Sequence, residues 1–238
     1  MRRLTTLLLA ATAGAALAGS AQAAVNLVTN GSFEDETAFF GWQVSGAQHD
    51  GFPVALINYG AAAQYPIGAF GEAVPADDAL SPSPDAAGDR AAYFVSDFSD
   101  ETISQTVHLE AGDYTIGFDA YLPANGFANA VDAHFFGQVA GVTLADFAAS
   151  TGQRTTWTHF EGVAHVNHAG DFMTSFRFNT NGFPAKDVVI DKVFIVAGGT
   201  GGTPIDGVPE PATWTMMILG FGGAGFVARR RRRAAAIA

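Results

Sequence analysis

From residue 114 to residue 120 apolar and polar positions alternate: Tyr114, Ile116, Phe118 and Ala120 on one side, Thr115, Gly117 and Asp119 on the other. A period of two places each set on its own face of an extended chain, so the segment predicts a half-buried strand. Phe172, Thr174, Phe176 and Phe178 alternate with Met173, Ser175 and Arg177 in the same way. Ile103, Val107 and Leu109 share a face upstream, with Gln105 as the polar exception, and Glu110-Ala111-Gly112-Asp113 supplies a hairpin-length loop with a glycine. Residues 188–196 form a dense β-branched run broken mainly by Asp191 and Lys192. Shorter extended segments are expected at 26–29, 41–44, 91–95, 133–139 and 157–166. Helical periodicity is scarce, with one or two turns expected over 144–149. Residues 45–90 carry Pro53, Pro66, Pro75, Pro82 and Pro84 among many Ala, Gly and Asp, and predict a long irregular excursion. No internal repeat is visible. Many short strands separated by turn signals predict an all-β sandwich or barrel.

The two ends follow a different pattern. Met1-Arg2-Arg3 is a basic start, residues 4–18 are an apolar run rich in Leu and Ala, and Ala21-Gln22-Ala23 gives small-x-small cleavage spacing. Residues 1–23 therefore predict a secretory signal peptide, cut by signal peptidase after Ala23, with the mature chain starting at Ala24. At the other end residues 212–228 are uncharged and about 25 Å long as a helix, near the lower limit for spanning a bilayer. Trp214 suits the membrane interface, and Arg229, Arg230, Arg231, Arg232 and Arg233 would remain on the cytoplasmic side. Between the ends, 24–197 is the expected β domain and 198–207 a Gly-rich flexible linker.

Removing the ends changes the charge. The whole chain carries a formal −11, from 12 basic and 23 acidic residues. Seven of those basic residues and one acidic residue (Glu210) lie in the end segments, so the intervening residues 24–207 carry −17. Such a surface repels nucleic acid and anionic lipid and attracts cations. The chain has no cysteine, which excludes disulfides and thiol chemistry in an exported protein. A domain of this length can be stable on its hydrophobic core.

Two resemblances rest on quoted residues. Pro209-Glu210-Pro211-Ala212-Thr213-Trp214-Thr215, then the apolar stretch and the arginines, resembles the PEP-CTERM sorting tail, here spanning 208–238. The resemblance implies export through the inner membrane, recognition and removal of the tail by exosortase, and a final place at the cell surface or outside the cell. Thr215 stands where an alanine is common in that family. Within the domain, Asn26-Leu27-Val28-Thr29-Asn30-Gly31-Ser32-Phe33-Glu34 resembles the opening strand and turn of carbohydrate-binding-module jelly rolls, the galactose-binding-like β-sandwiches. Val189-Ile190-Asp191-Lys192-Val193 is similar to their closing strand, and residues 109–118 to a central hairpin. This resemblance implies a jelly-roll β-sandwich that binds polysaccharide. It also implies a structural Ca²⁺ near Glu34 and Asp191, since terminal strands meet in such sandwiches and carboxylates with backbone carbonyls suit a hard cation. Lys192 stands where the family often has a second aspartate.

For sugar recognition, aromatic rings must stack on the apolar face of a pyranose while polar groups bond its hydroxyls. Trp42, Tyr59 and Tyr65 are the ligand-binding candidates; Tyr59 and Tyr65 lie in the irregular span and are the better surface candidates, while Trp42 reads more readily as core. The histidines His49, His108, His134, His159, His165 and His168 show no recognised zinc spacing, and no Gly-x-Ser-x-Gly elbow is present. The expected function is a non-catalytic, exosortase-sorted, carbohydrate-binding sandwich. The alternatives are a structural matrix or adhesion protein and a polysaccharide hydrolase.

Overall fold

The computed structural model describes residues 24–48, 51–61, 64–124, 133–152, 155–182 and 186–198. They belong to one compact unit, Ala23–Ile205. The expected signal peptide, the expected linker after Gly198 and the sorting tail lie outside the described residues.

The alternating segments become two five-stranded antiparallel sheets. In chain order the strands are β1 (Gln43–Gln48), β2 (Ala55–Asn58), β3 (Arg90–Phe94), β4 (Ser99–Leu109) and β5 (Gly112–Tyr121). They continue as β6 (His134–Val139), β7 (Val142–Ala148), β8 (Thr158–Val166), β9 (Gly170–Asn179) and β10 (Val188–Ala197). Sheet A runs β1-β4-β9-β6-β7 and sheet B runs β2-β3-β10-β5-β8. Apolar side chains from both inner faces interlock between the sheets, with Phe94, Phe118, Phe135, Phe176 and Phe178 fully buried together. This is an all-β two-sheet sandwich.

Three segments differ from the sequence expectation. Residues 144–149, expected to form helical turns, lie mostly in β7, which pairs with β6 and ends in a single 3-10 turn at Ala149–Thr151. Ala140 and Gly141 both adopt positive φ (49° and 78°) and form the two-residue turn between these strands. Alanine there hides the hairpin signal, because such turns usually carry Asn-Gly or Gly-Gly. Residues 45–90 are irregular as expected after β2, yet they include the end of β1 and all of β2. Residues 26–29 are not a strand. Instead the segment 26–31 closes the part of β10 that β3 does not reach: Leu27 N–H donates to Ile195 O (2.9 Å) and Val193 N–H to Gly31 O (2.9 Å). Gly31 approaches so closely that a Cβ there would lie 2.0 Å from Val193 O.

One irregularity matters for the rest of the molecule. The β10–β5 register jumps between Asp191 and Phe194, with Asp191 opposite Asp119 and Phe194 opposite Gly117. The extra residue is a β-bulge, and Lys192 within it takes φ 46°. Val193 thereby returns to the inter-sheet core, while the consecutive residues Asp191 and Lys192 both serve the outer side of sheet B.

Candidate functional site

The outer face of sheet A is open. Strand register aligns Ser45, Thr102, Arg177, Phe136 and Asp146 in one row across all five strands. Gln43, Ser104, Ser175, Gln138 and Thr143 form the adjoining row. Over the β1, β4, β9 and β6 portions of these rows runs a groove of about 510 Å³, lined by Ser45, Thr102, Ser104, Ser175, Phe136, Met173, His134 and Arg177. Hydroxyls both donate and accept hydrogen bonds, and the half-buried Phe136 ring with Met173 supplies an apolar floor. Arg177 donates from Nε and Nη2 to both carboxylate oxygens of Asp100, each at 2.6 Å. That pairing holds the Asp100 carboxyl below the usual range and raises the guanidinium further. His134 Nδ1 lies 3.1 Å from Asp146 Oδ1 at the other side of the groove.

The outer face of sheet B is covered. Residues 59–61 and 64–79 of the excursion lie over it: Tyr59 hydroxyl donates to Asp191 (2.5 Å), Trp157 Nε1 to Pro75 O (3.0 Å), and Tyr121 hydroxyl to Glu72. Beneath this cover Asp191, Asp119 and His159 align across β10, β5 and β8. His159 Nδ1 is 2.5 Å from Asp119 Oδ1, and its Nε2 is 3.2 Å from Glu161 Oε2. Lys192 Nζ donates to Ala79 O (3.0 Å) and lies 3.3 Å from Asp77 and 3.5 Å from Asp119. Burial, reinforced by the neighbouring Asp119 carboxyl, pushes Asp77 up to about 7. Burial likewise drives Asp191 well above the ordinary carboxyl value and, with Asp191 beside it, keeps the Tyr59 hydroxyl protonated. Burial opposes protonation of His159, but bonds to Asp119 and Glu161 outweigh it and raise its value. Asp77 Oδ2, Asp119 Oδ2 and Asp191 Oδ1 have no hydrogen-bond partner among the described residues, although Lys192 Nζ stands 3.5 Å from Asp119 Oδ2.

The residues singled out from the sequence scatter over the molecule. Trp42 is a core residue, 7% exposed, packed against Phe33 and Phe176 with its Nε1 donating to Asn30 O (3.0 Å). Its ring is therefore not presented to a sugar. Tyr59 is part of the cover over sheet B, its ring edge-on to Trp157. Tyr65 stands in an aromatic group, stacked on Phe70 (5.7 Å between centroids) and edge-on to Phe52 (5.4 Å), with its hydroxyl donating to Pro53 O. None of the three lines the groove. Glu34 and Asp191 have separate partners. Glu34 Oε1 accepts from the backbone N–H of Asp89 (2.9 Å) and Arg90 (2.6 Å), whereas Asp191 accepts from Tyr59. Different donors thus engage Glu34 Oε1 and Asp191 Oδ2, and no hydrogen bond joins the two carboxylates among the described residues. Among the described residues no three His, Asp or Glu side chains converge as a metal site. Arg177, Phe136 and Ser175, which do line the groove, are legible in the sequence only as members of alternating strands.

Likeness to known proteins is firmest at the tail. The PEP-CTERM protein-sorting motif family matches residues 207–233. The tail is a PEP-CTERM sorting motif. No curated protein matches the chain. Similar solved structures include TmCBM61 in complex with β-1,4-galactotriose, 19% identical, covering 73% of this chain and 99% of that one with a TM-score of 0.45. A cyclase from Fischerella sp. TAU is 14% identical over 74% of this chain and 98% of that one, TM-score 0.44. A CBM4 structure is 15% identical over 72% and 99%, TM-score 0.37.

Proposed function

We propose that this protein is exported under its PEP-CTERM motif and binds a polysaccharide, without cleaving it, in the groove on the outer face of sheet A. The observation that carries the reading is the groove itself: an open channel crossing four strands, with hydroxyls in two rows around Phe136 and Met173. A glycan chain needs that combination, because its rings present alternating apolar patches and hydroxyl groups. The carboxylates flanking the channel argue against hydrolysis. Asp100 is ion-paired with Arg177 and Asp146 lies against His134 Nδ1, so each carboxyl already has a partner beside the groove. The PEP-CTERM motif supports a route through the inner membrane with exosortase as the sorting partner, ending at the cell surface or in its surroundings.

Binding of the purified 24–207 fragment to a glycan array tests this directly. Phe136→Ala should weaken binding at least about tenfold, the scale of losing a well-placed aromatic contact of ~1.5 kcal/mol. Binding that survives Phe136→Ala but disappears on Tyr65→Ala would move the site to the Phe52–Tyr65–Phe70 group and overturn the assignment. Release of reducing ends from any bound polysaccharide would show a hydrolase instead.

A further inference from the structure

We infer that Asp100 sets the charge class of the glycan, so that the groove takes neutral polysaccharide and rejects acidic polysaccharide. This rests on the proposed site and deepens it. Among the described residues Arg177 is the one Lys or Arg that lines the groove, and a lone arginine beside hydroxyls would ordinarily favour a uronate or sulfate, which matches its planar fork. Here the fork is already occupied. Both Nε and Nη2 bond Asp100, one to each carboxylate oxygen at 2.6 Å, in the two-pronged geometry a bound uronate would use.

Strand register builds this pairing into the sheet. Arg177 lies opposite Thr102 on β4, and Asp100 sits two residues along the same face of β4, a diagonal that long side chains bridge. His134, the other basic group at the groove, is engaged by Asp146 at 3.1 Å. The formal charge of −17 over residues 24–207 adds a repulsive background. Among the described residues an acidic chain entering the groove would thus meet no unspent cation, and would have to displace Asp100 to reach one. A neutral chain meets hydroxyls and the Phe136 ring without that penalty. Discrimination here comes from a charge placed against the wrong ligand rather than from an added contact to the right one.

The test uses neutral β-glucan and galactan hexasaccharides and the same oligomers oxidised to carboxylates at C6, titrated against the 24–207 fragment by calorimetry. The fragment as it stands should bind a neutral oligomer better than its oxidised form by roughly fivefold or more, the factor expected from about 1 kcal/mol of exposed charge interaction. That gap should shrink in ~1 M salt, where screening reaches ~3 Å. Asp100→Ala and the isosteric Asp100→Asn should narrow or reverse it, and Arg177→Ala added to Asp100→Ala should restore it. Equal or tighter binding of the oxidised oligomers by the unaltered fragment overturns the inference, as does a gap that neither Asp100 variant changes. Absence of binding to any oligomer overturns the proposed carbohydrate site itself, and this inference with it.

Discussion

The two outer faces of this sandwich differ in what they carry and end in opposite states. On sheet A the groove rows are mainly polar, whereas sheet B sets Ile57, Ala91, Tyr93, Tyr121 and Val189 beside its charged group. On sheet A the polar pairs stay in water: Arg177, Asp100, His134 and Asp146 are each at least two-fifths exposed. On sheet B residues 59–61 and 64–79 close over the face, and the Lys192–Asp77–Asp119 group has carboxylate side chains with no exposure at all. The difference shows how one fold divides its labour. An exposed ion pair contributes little to stability and can be given to recognition, whereas a buried charged group is costly to leave incomplete and ties the cover to the sheet.

The sharpest way to break this comparison is to remove one charge from each face. Lys192→Ala should destabilise the domain by about 3–5 kcal/mol at pH 8, because it strands the buried Asp77 and Asp119, while Arg177→Ala should cost ~0–1 kcal/mol. Urea unfolding of both variants decides, and equal losses would show that the covered face is not special. Next in size, Tyr59→Phe should cost about 1–3 kcal/mol by leaving Asp191 without its donor, read from the same unfolding curves. A null effect there would mean that Tyr59 covers the sheet by packing alone.

A third test uses pH. Asp77 and Asp187 are pushed up to about 7, each first by burial, and Asp191 is raised as well, from an ordinary 3.8. A group that holds its proton more tightly when folded contributes stability that is complete below 3.8 and is lost as pH rises through the folded value. His159, also raised, loses its contribution in the same direction. The urea midpoint should therefore fall between pH 5 and pH 8, and this slope should flatten when Asp77 is replaced by Asn. A midpoint that rises over that range would contradict the burial of these acids. The smallest effect belongs to the open face: Ser45→Ala, at an exposed groove position, should change stability by no more than about 0.5 kcal/mol. It should weaken glycan binding about threefold, the loss of one hydrogen bond of ~0.5–1 kcal/mol, measured by calorimetry.

Much of the fold is legible in the chain alone, for a definite reason. β4, β5, β9 and β10 stand out because a half-buried or fully buried strand must repeat with period two or run continuously apolar. β7 does not, because its turn uses Ala140 in a left-handed conformation, a choice that leaves no trace in turn statistics. Segment 26–31 has the composition of a strand, yet it meets β10 through a few backbone bonds and the Asn26 side chain. The candidate site is less legible. Tyr59 and Tyr65 attract attention as aromatic residues in an expected irregular span and Trp42 as one in a short expected strand, but Trp42 fills the core and Tyr59 holds down a cover. Met173, Ser175 and Arg177 sit in plain view as the polar half of a strand, indistinguishable from any solvated face.

What the sequence determined by itself was local or terminal: the export address at 207–233, strand periodicity, the absence of thiols and the acidic surplus. Each of these is a property of neighbours along the chain or of composition, and needs no knowledge of distant contacts. The tertiary structure decided which outer face stays open, which one is covered, and that Asp191 and Lys192 point the same way through a bulge in β10. Those facts depend on register between strands separated by tens of residues, where a shift of one position turns every side chain to the opposite face.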